Sequence, residues 1–373
     1  MRRRPFLKAG GLGVALGAVA APAIAQSTPE IRWRLASSFP KSLDTIYGGG
    51  EFLARRVAEA TDNKFQIRVF PEGELMRGFE VLDAVRNKTV ELAHTSSYYF
   101  ANKDPTFTFD TTMPFGFNAR QQNAWMRHGG GRELIREFLK AYDVYPIPAG
   151  NTGAQMGGWF NKEIRTVGDL KGLRFRIGGV VAGQVLAKLG VVPQALPGGG
   201  IYPAFEKGAI DAAEWVGPYD DEKLGLHRIA KYYYYPGWWE GNAQLVVYVN
   251  TAHWESLPKS YQVLLELACS DMTNWMIGKY DAENPAALRR LVAGGTQLRP
   301  FPRPVLEACF KAAVELYDEV ASKNHSFNKI YDDWKELLGD EELWFQVAEH
   351  PSDNFMGRHT YARKASGTAD GPA

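Results

Sequence analysis

Ile31-Arg32-Trp33-Arg34-Leu35-Ala36 and Phe65-Gln66-Ile67-Arg68-Val69-Phe70 each alternate apolar and polar side chains, the period of a strand with one buried face. Between them, Leu53, Val57 and Ala60 share one face of a helix expected from about Asp44 to Ala60. Pro71-Glu72-Gly73 reads as a turn. Phe79 to Asn87 follows as a short helix carrying Val81, Leu82 and Val85, and Val90-Glu91-Leu92-Ala93 as a third strand. Strand–helix–strand–helix–strand predicts an α/β fold with a mostly parallel sheet.

The end of that unit recurs. Val85-Arg86-Asn87-Lys88-Thr89-Val90-Glu91-Leu92-Ala93 is echoed by Phe205-Glu206-Lys207-Gly208-Ala209-Ile210-Asp211-Ala212-Ala213. Each is a helix end, a turn with a basic residue and a short strand carrying one acid. The echo predicts two similar α/β lobes. Open α/β sheets bind ligands beyond the carboxyl ends of their strands, so His94 to Tyr99 should face Glu214 to Tyr219 across a cleft. Leu173-Arg174-Phe175-Arg176-Ile177 alternates again, and Leu245-Val246-Val247-Tyr248-Val249 reads as a buried strand. Lobe 1 is expected to take residues 26–149 and about 240–270, and lobe 2 residues 150–239. Residues 271–363 are expected to be helical, spanning or covering both lobes with a long C-terminal helix, and 364–373 to be a disordered tail. Leu306, Cys309, Ala313, Leu316 and Val320 form an apolar stripe there.

The first residues point to export. Arg3-Arg4-Pro5-Phe6-Leu7-Lys8 is a twin-arginine signal, the segment from Ala9 to Pro29 carries no charge, and Ala23-Ile24-Ala25 offers the small residues a signal peptidase reads. The apolar part is too short and too rich in Gly and Ala for a good membrane span, so residues 1–25 are expected to be removed and the protein to work in the periplasm. The full chain has 43 basic and 42 acidic side chains. Removing Arg2, Arg3, Arg4 and Lys8 with the leader leaves 39 against 42, a net charge of −3, which is not the balance of a nucleic-acid binder. Nearly 350 remaining residues suit two lobes better than one core. Cys269 and Cys309 can pair in an oxidising compartment. Both sit on apolar helix faces, however, and read as buried free thiols.

Taken in order, three segments resemble the solute-binding proteins of tripartite ATP-independent periplasmic (TRAP) transporters. They are Pro71-Glu72-Gly73-Glu74-Leu75, Asp169-Leu170-Lys171-Gly172-Leu173-Arg174-Phe175-Arg176, and Lys207-Gly208-Ala209-Ile210-Asp211-Ala212-Ala213-Glu214. Asn151-Thr152-Gly153-Ala154-Gln155-Met156-Gly157-Gly158-Trp159-Phe160 and Trp238-Trp239-Glu240-Gly241 resemble the subgroup that binds 2-oxo or 2-hydroxy monocarboxylates through a metal ion. That resemblance implies a two-lobed periplasmic-binding-protein fold with mixed sheets and hinge crossover strands, a small organic-acid ligand, membrane subunits of a transporter as partners, and no enzymatic conversion. Members of the subgroup can also pair as homodimers through a C-terminal helix, and the stripe from Leu306 to Val320 is compatible with that or with a buried intrachain helix.

By spacing alone Arg176 is an ordinary strand arginine; the motif makes it the carboxylate-binding residue, whose planar fork matches two carboxylate oxygens. Glu214 alone reads as a surface acid at a strand end; the resemblance makes it a metal ligand beside the Trp215 carbonyl. Glu240 is an acid among tryptophans, costly unless paired, and becomes the second carboxylate. Gln155 adds an amide oxygen. Ser97 and Tyr98, at the first lobe's strand end, are candidate donors to the ligand. Two glutamates, one arginine and an anionic ligand sum to −2 in a closed cleft, at a cost of several kcal/mol per uncompensated ion. A hard cation, sodium or calcium, removes that problem, and an all-oxygen ligand set suits it.

Two other classes remain in view. A twin-arginine-exported enzyme lacks support from a dinucleotide fingerprint, a cysteine cluster or a Gly-x-Ser-x-Gly elbow. A carbohydrate binder would use the run Tyr232 to Trp239 as a stacking platform.

Overall fold

The structure is a computed structural model and describes residues 29–365. The expected leader cleavage after Ala25 and residues 366–373 of the expected tail lie outside them.

Eleven strands form two sheets among the described residues. The first sheet holds β1 (Ile31–Ser37), β2 (Phe65–Phe70), β3 (Leu92–Thr95) and β4 (Val144–Asn151). The second holds β5 (Trp159–Phe160), β6 (Arg174–Arg176), β7 (Val192–Gln194), β8 (Ala212–Ala213) and β9 (Tyr232–Tyr235). The chain then returns to the first sheet as β10 (Gln244–Asn250) and again to the second as β11 (Gln297–Pro300). Strand order is β2-β1-β3-β10-β4 in one sheet and β11-β9-β5-β8-β6-β7 in the other. Both are mixed: β10 runs antiparallel to β3 and β4, and β5 antiparallel to β8 and β9, while the remaining pairs are parallel.

The sequence echo is structural. Thr89 N–H donates to Ala84 C=O at 2.8 Å, and Ala209 N–H to Ala204 C=O at the same distance. Lys88 has φ of 59° where Gly208 has 65°. Each helix therefore ends in the same left-handed turn before β3 or β8. At Lys88 this conformation carries a side chain, which costs strain that Gly208 avoids.

Three details differ from the sequence reading. The first helix is Gly48–Ala60, with most of Lys41 to Tyr47 in turns, and its buried Gly48-Gly49-Gly50 start packs closely at Gly49. A Cβ on Gly49 would lie 2.5 Å from the Met272 methyl. Residues 271–363 are not wholly helical: β11 pairs with β9 as a parallel edge strand, with little alternation to signal it. The long helix Lys259–Ala293 crosses the boundary expected near residue 270, and helix continues through Ala365. That 35-residue helix packs on β4 and on helices Gly48–Ala60 and Pro218–Leu224, so it touches both halves of the molecule. Cys269 and Cys309 are buried free thiols. Among the described residues no helix is long and apolar enough to cross a membrane.

Candidate functional site

Two segments cross between the sheets, residues 152–158 outward and 236–243 back, and they are hydrogen-bonded to each other. Thr152 N–H donates to Ala243 C=O at 3.1 Å, Gln155 N–H to Glu240 C=O at 3.2 Å, and Gly237 N–H to Gln155 C=O at 3.1 Å. The pairing sets Gln155 beside Glu240. Gly158 lets the outward segment pass close to the end of β8: its φ is +85°, and a Cβ there would lie 2.7 Å from Ala213 O and 3.0 Å from Glu214 Cα.

Arg176 ends β6. Arg174, two residues earlier on the strand, is held by Asp211 at 2.6 Å and is partly exposed, whereas Arg176 is 1 % exposed. Its Nε donates to Leu196 C=O at 2.9 Å; its Nη1 donates to Glu214 C=O at 2.7 Å and to Glu214 Oε1 at 2.6 Å. Nη2 is buried and has no partner. The guanidinium lies 5.1 Å from the Trp215 ring centre, a cation–π contact.

Glu214 is 1 % exposed and also accepts the Gly178 N–H. Burial pushes its pKa up to about 7 against the pull of Arg176. Glu240 is equally buried, and neither carboxylate oxygen has a hydrogen-bond partner. Burial first, and the charge of Glu214 second, drive its pKa well above the carboxylate range. Gln155 Nε2 donates to Thr152 Oγ1 at 3.1 Å, which leaves Gln155 Oε1 buried and unpartnered. Tyr98 is buried, with burial and Glu240 raising its phenol pKa. A narrow cavity of about 10 Å³ is lined by Tyr98, Gln155, Arg176 and Trp215 together with Ile46, Val216 and Leu245.

Of the residues singled out from sequence, Arg176, Glu214, Trp215, Glu240, Gln155 and Tyr98 therefore converge. Ser97 does not. Its hydroxyl donates to Asp110 at 2.6 Å and contacts the Tyr248 hydroxyl, on the far side of the turn Ser97–Phe100, and Ser96 lines the cavity in its place. Alternation along β3 did not carry into that tight turn. Thr152, within the segment that resembles the acid-binding subgroup, also lines the cavity, and Ile46 and Leu245 join it with no sequence signal for a site.

Whether a hard cation fits can be judged from the orphaned atoms. Three buried oxygens, Gln155 Oε1 and both of Glu240, lack donors beside a second buried carboxylate. An oxygen-seeking cation satisfies such a set. Among the described residues no group of three or more His, Cys, Asp or Glu is arranged to hold a metal, so carbonyl and amide oxygens must complete this one.

Two mixed sheets with a buried arginine and buried carboxylates beside their crossovers suit a solute receptor. Residues 36–324 match the family model "bacterial extracellular solute-binding protein, family 7", and the chain belongs to that family, whose TRAP members are periplasmic receptors. It is 47% identical over 361 residues, 95% of this chain and 99% of the relative, to a monocarboxylate 2-oxoacid-binding periplasmic protein of Nostoc sp.. A TRAP transporter solute-binding protein from Bordetella bronchiseptica RB50, a dimer solved with calcium and picolinate in one site, is 50% identical. It superposes with a TM-score of 0.89 over 90% of this chain and 99% of that one. One from Pseudoalteromonas atlantica T6c, solved with sodium and pyruvate, is 38% identical with a TM-score of 0.84 over 87% and 98%.

Proposed function

We propose that this protein binds a small 2-oxo or 2-hydroxy monocarboxylate, pyruvate or lactate in kind, together with one hard cation, and passes the acid unchanged to the membrane subunits of a TRAP transporter. The observation that carries this reading is the set of unpartnered buried atoms: Arg176 Nη2 on one side, Gln155 Oε1 and the Glu240 carboxylate on the other. Arg176 and Tyr98 take the carboxylate of the acid. Glu214, Glu240, Gln155 and the Trp215 carbonyl hold the cation, which neutralises the enclosed charge and offers the acid's oxygens a Lewis-acidic partner. The sodium and calcium bound by similar proteins support this assignment.

Residues 26–149 with about 240–270 act as one lobe and 150–239 as the other, hinged at the two crossovers. Export follows the twin-arginine route, motivated by Arg3-Arg4. Two copies pair through the C-terminal helices, where Leu343, Trp344 and Val347 are 65%, 58% and 69% exposed.

Calorimetric titration with pyruvate, lactate and mannitol, with and without a chelator and sodium, tests the function. Acid binding that needs a cation and leaves the acid unaltered is expected. Cation-independent mannitol binding favours a polyol receptor, and turnover of the acid would make the protein an enzyme.

A further inference from the structure

Two more carboxylates are sealed behind the wall of the cavity. Asp220 and Asp221 are 0 % exposed, at the start of helix Pro218–Leu224. Asp221 Oδ1 accepts the Val216 N–H at 3.2 Å; Oδ2 accepts the Trp159 indole N–H at 3.0 Å and the Tyr233 hydroxyl at 2.7 Å. Asp220 Oδ2 accepts the Tyr280 hydroxyl at 2.6 Å. Burial raises both carboxyl pKa values, that of Asp221 to about 6 against the pull of its Tyr233, Trp159 and Val216 donors and that of Asp220 to about 7, so both are largely ionised at pH 8. Lys223 and Lys279 are paired with Asp44 instead of with either aspartate.

The charge behind the site is lopsided. Glu214, Glu240, Asp220 and Asp221 are all at most 1 % exposed, and among the described residues Arg176 is the one buried Lys or Arg. Val216, whose N–H Asp221 holds, lines the cavity next to Trp215.

We propose that Asp221, with Asp220 beside it, is a specificity-determining residue that ligates nothing yet makes the cation site prefer a divalent ion to sodium. The proposal rests on the cation-and-acid reading above. A fixed charge acts on an ion in proportion to the ion's own charge. Dehydrating the ion costs the same in parent and variant and cancels. Removing one unit of buried charge at Asp221 therefore lowers calcium association by the square of the factor by which it lowers sodium association. A misplaced Trp215 carbonyl or a loosened helix follows no such square law.

The test measures sodium and calcium affinity separately, at pH 8, saturating pyruvate and constant ionic strength, for the full protein and for Asp221→Asn. About threefold weaker sodium binding with about tenfold weaker calcium binding is the expected result. Tyr233→Phe, which removes one hydrogen bond to Asp221 and no charge, should leave the ratio of the two affinities unchanged. Equal losses for both ions in Asp221→Asn, or no loss, overturn the proposal. If that variant does not fold, Asp220→Asn carries the same test with the same two readings. A parent protein that binds pyruvate with no cation requirement sinks the underlying functional reading as well.

Discussion

Arg176 Nη1 lies 2.6 Å from Glu214 Oε1, and both side chains are 1 % exposed. The chain thus buries an ion pair where its two sheets meet, and leaves one guanidinium nitrogen of that pair free. A buried pair is weak evidence for stability, because desolvation offsets most of the Coulomb gain. Its free donor is better understood as a place kept for an anion.

Arg176→Lys tests that. Lysine keeps the charge that compensates Glu214 but loses the planar fork. Acid affinity should fall about 10- to 100-fold, the worth of one or two hydrogen bonds to a charged group, while the melting temperature changes little. Calorimetry with pyruvate reads the first and a thermal scan the second; an unaltered affinity removes Arg176 from the site.

Gly178 is the second lever. A Cβ there would lie 2.7 Å from the Tyr98 hydroxyl and 3.3 Å from Glu214 Oε1. Gly178→Ala should push the phenol out of place and weaken acid binding by about tenfold or more, the loss of at least one good hydrogen bond. Tyr98→Phe, which removes the oxygen the methyl group meets, should lose binding on its own and make a further Gly178→Ala change nearly silent. Additive losses in the double variant would count against this coupling.

Asp110 sets a pH dependence. It is 1 % exposed, and burial raises its pKa to about 7 despite hydrogen bonds from Ser97 and Gln244. The folded state then holds a proton that the unfolded chain releases near pH 4, so this contribution to stability is present in acid and is lost as pH rises through about 7. His94 acts in the opposite sense: burial lowers its pKa to about 3, and stability falls as pH drops below the ordinary imidazole range. Asp110→Asn isolates one slope from the other. Its melting temperature should gain on the parent's from about pH 4 to 7 and then level off. A gap that stays constant across that range would be the contrary outcome.

Asp44 joins the two halves at the rim of the cleft. It follows β1, yet it accepts from Lys279 Nζ at 2.8 Å and the Tyr219 hydroxyl at 3.1 Å, and pairs with Lys223. Tyr219 and Lys223 follow β8 of the other sheet. Half-exposed pairs contribute about 0.2–1 kcal/mol each. Asp44→Ala should therefore speed acid dissociation by about two- to tenfold at low salt, with the difference shrinking near 1 M salt. Stopped-flow release of pyruvate measures it, and a salt-independent change would point away from a closing contact.

Leu343, Trp344 and Val347 give the pairing test. Leu343→Glu with Val347→Glu should convert a dimer into a monomer by light scattering and leave acid affinity intact. A parent protein that is already monomeric at micromolar concentration withdraws the pairing.

The alternation of β1 and β2 and the twin turns at Lys88 and Gly208 were readable along the chain, because each depends on neighbours a few residues away, whereas Arg176 stood out only through its resemblance to a family motif. Glu240 stood out as a charge among tryptophans. Ser96 and Ser97 differ by one position in a tight turn, and local period gives no means to choose between them. Tyr219-Asp220-Asp221-Glu222-Lys223 looks like a solvated helix start, yet Asp220 and Asp221 have no exposure at all. What buries them is Trp159 of β5, Tyr233 of β9 and Tyr280 of the long helix. Sequence alone thus determined the alternating strands and the repeated unit, and its family resemblance supplied the residues expected to hold an acid and an ion. Tertiary structure decided which carboxylates lose their water, because desolvation is imposed by elements remote in the chain and leaves no local pattern behind.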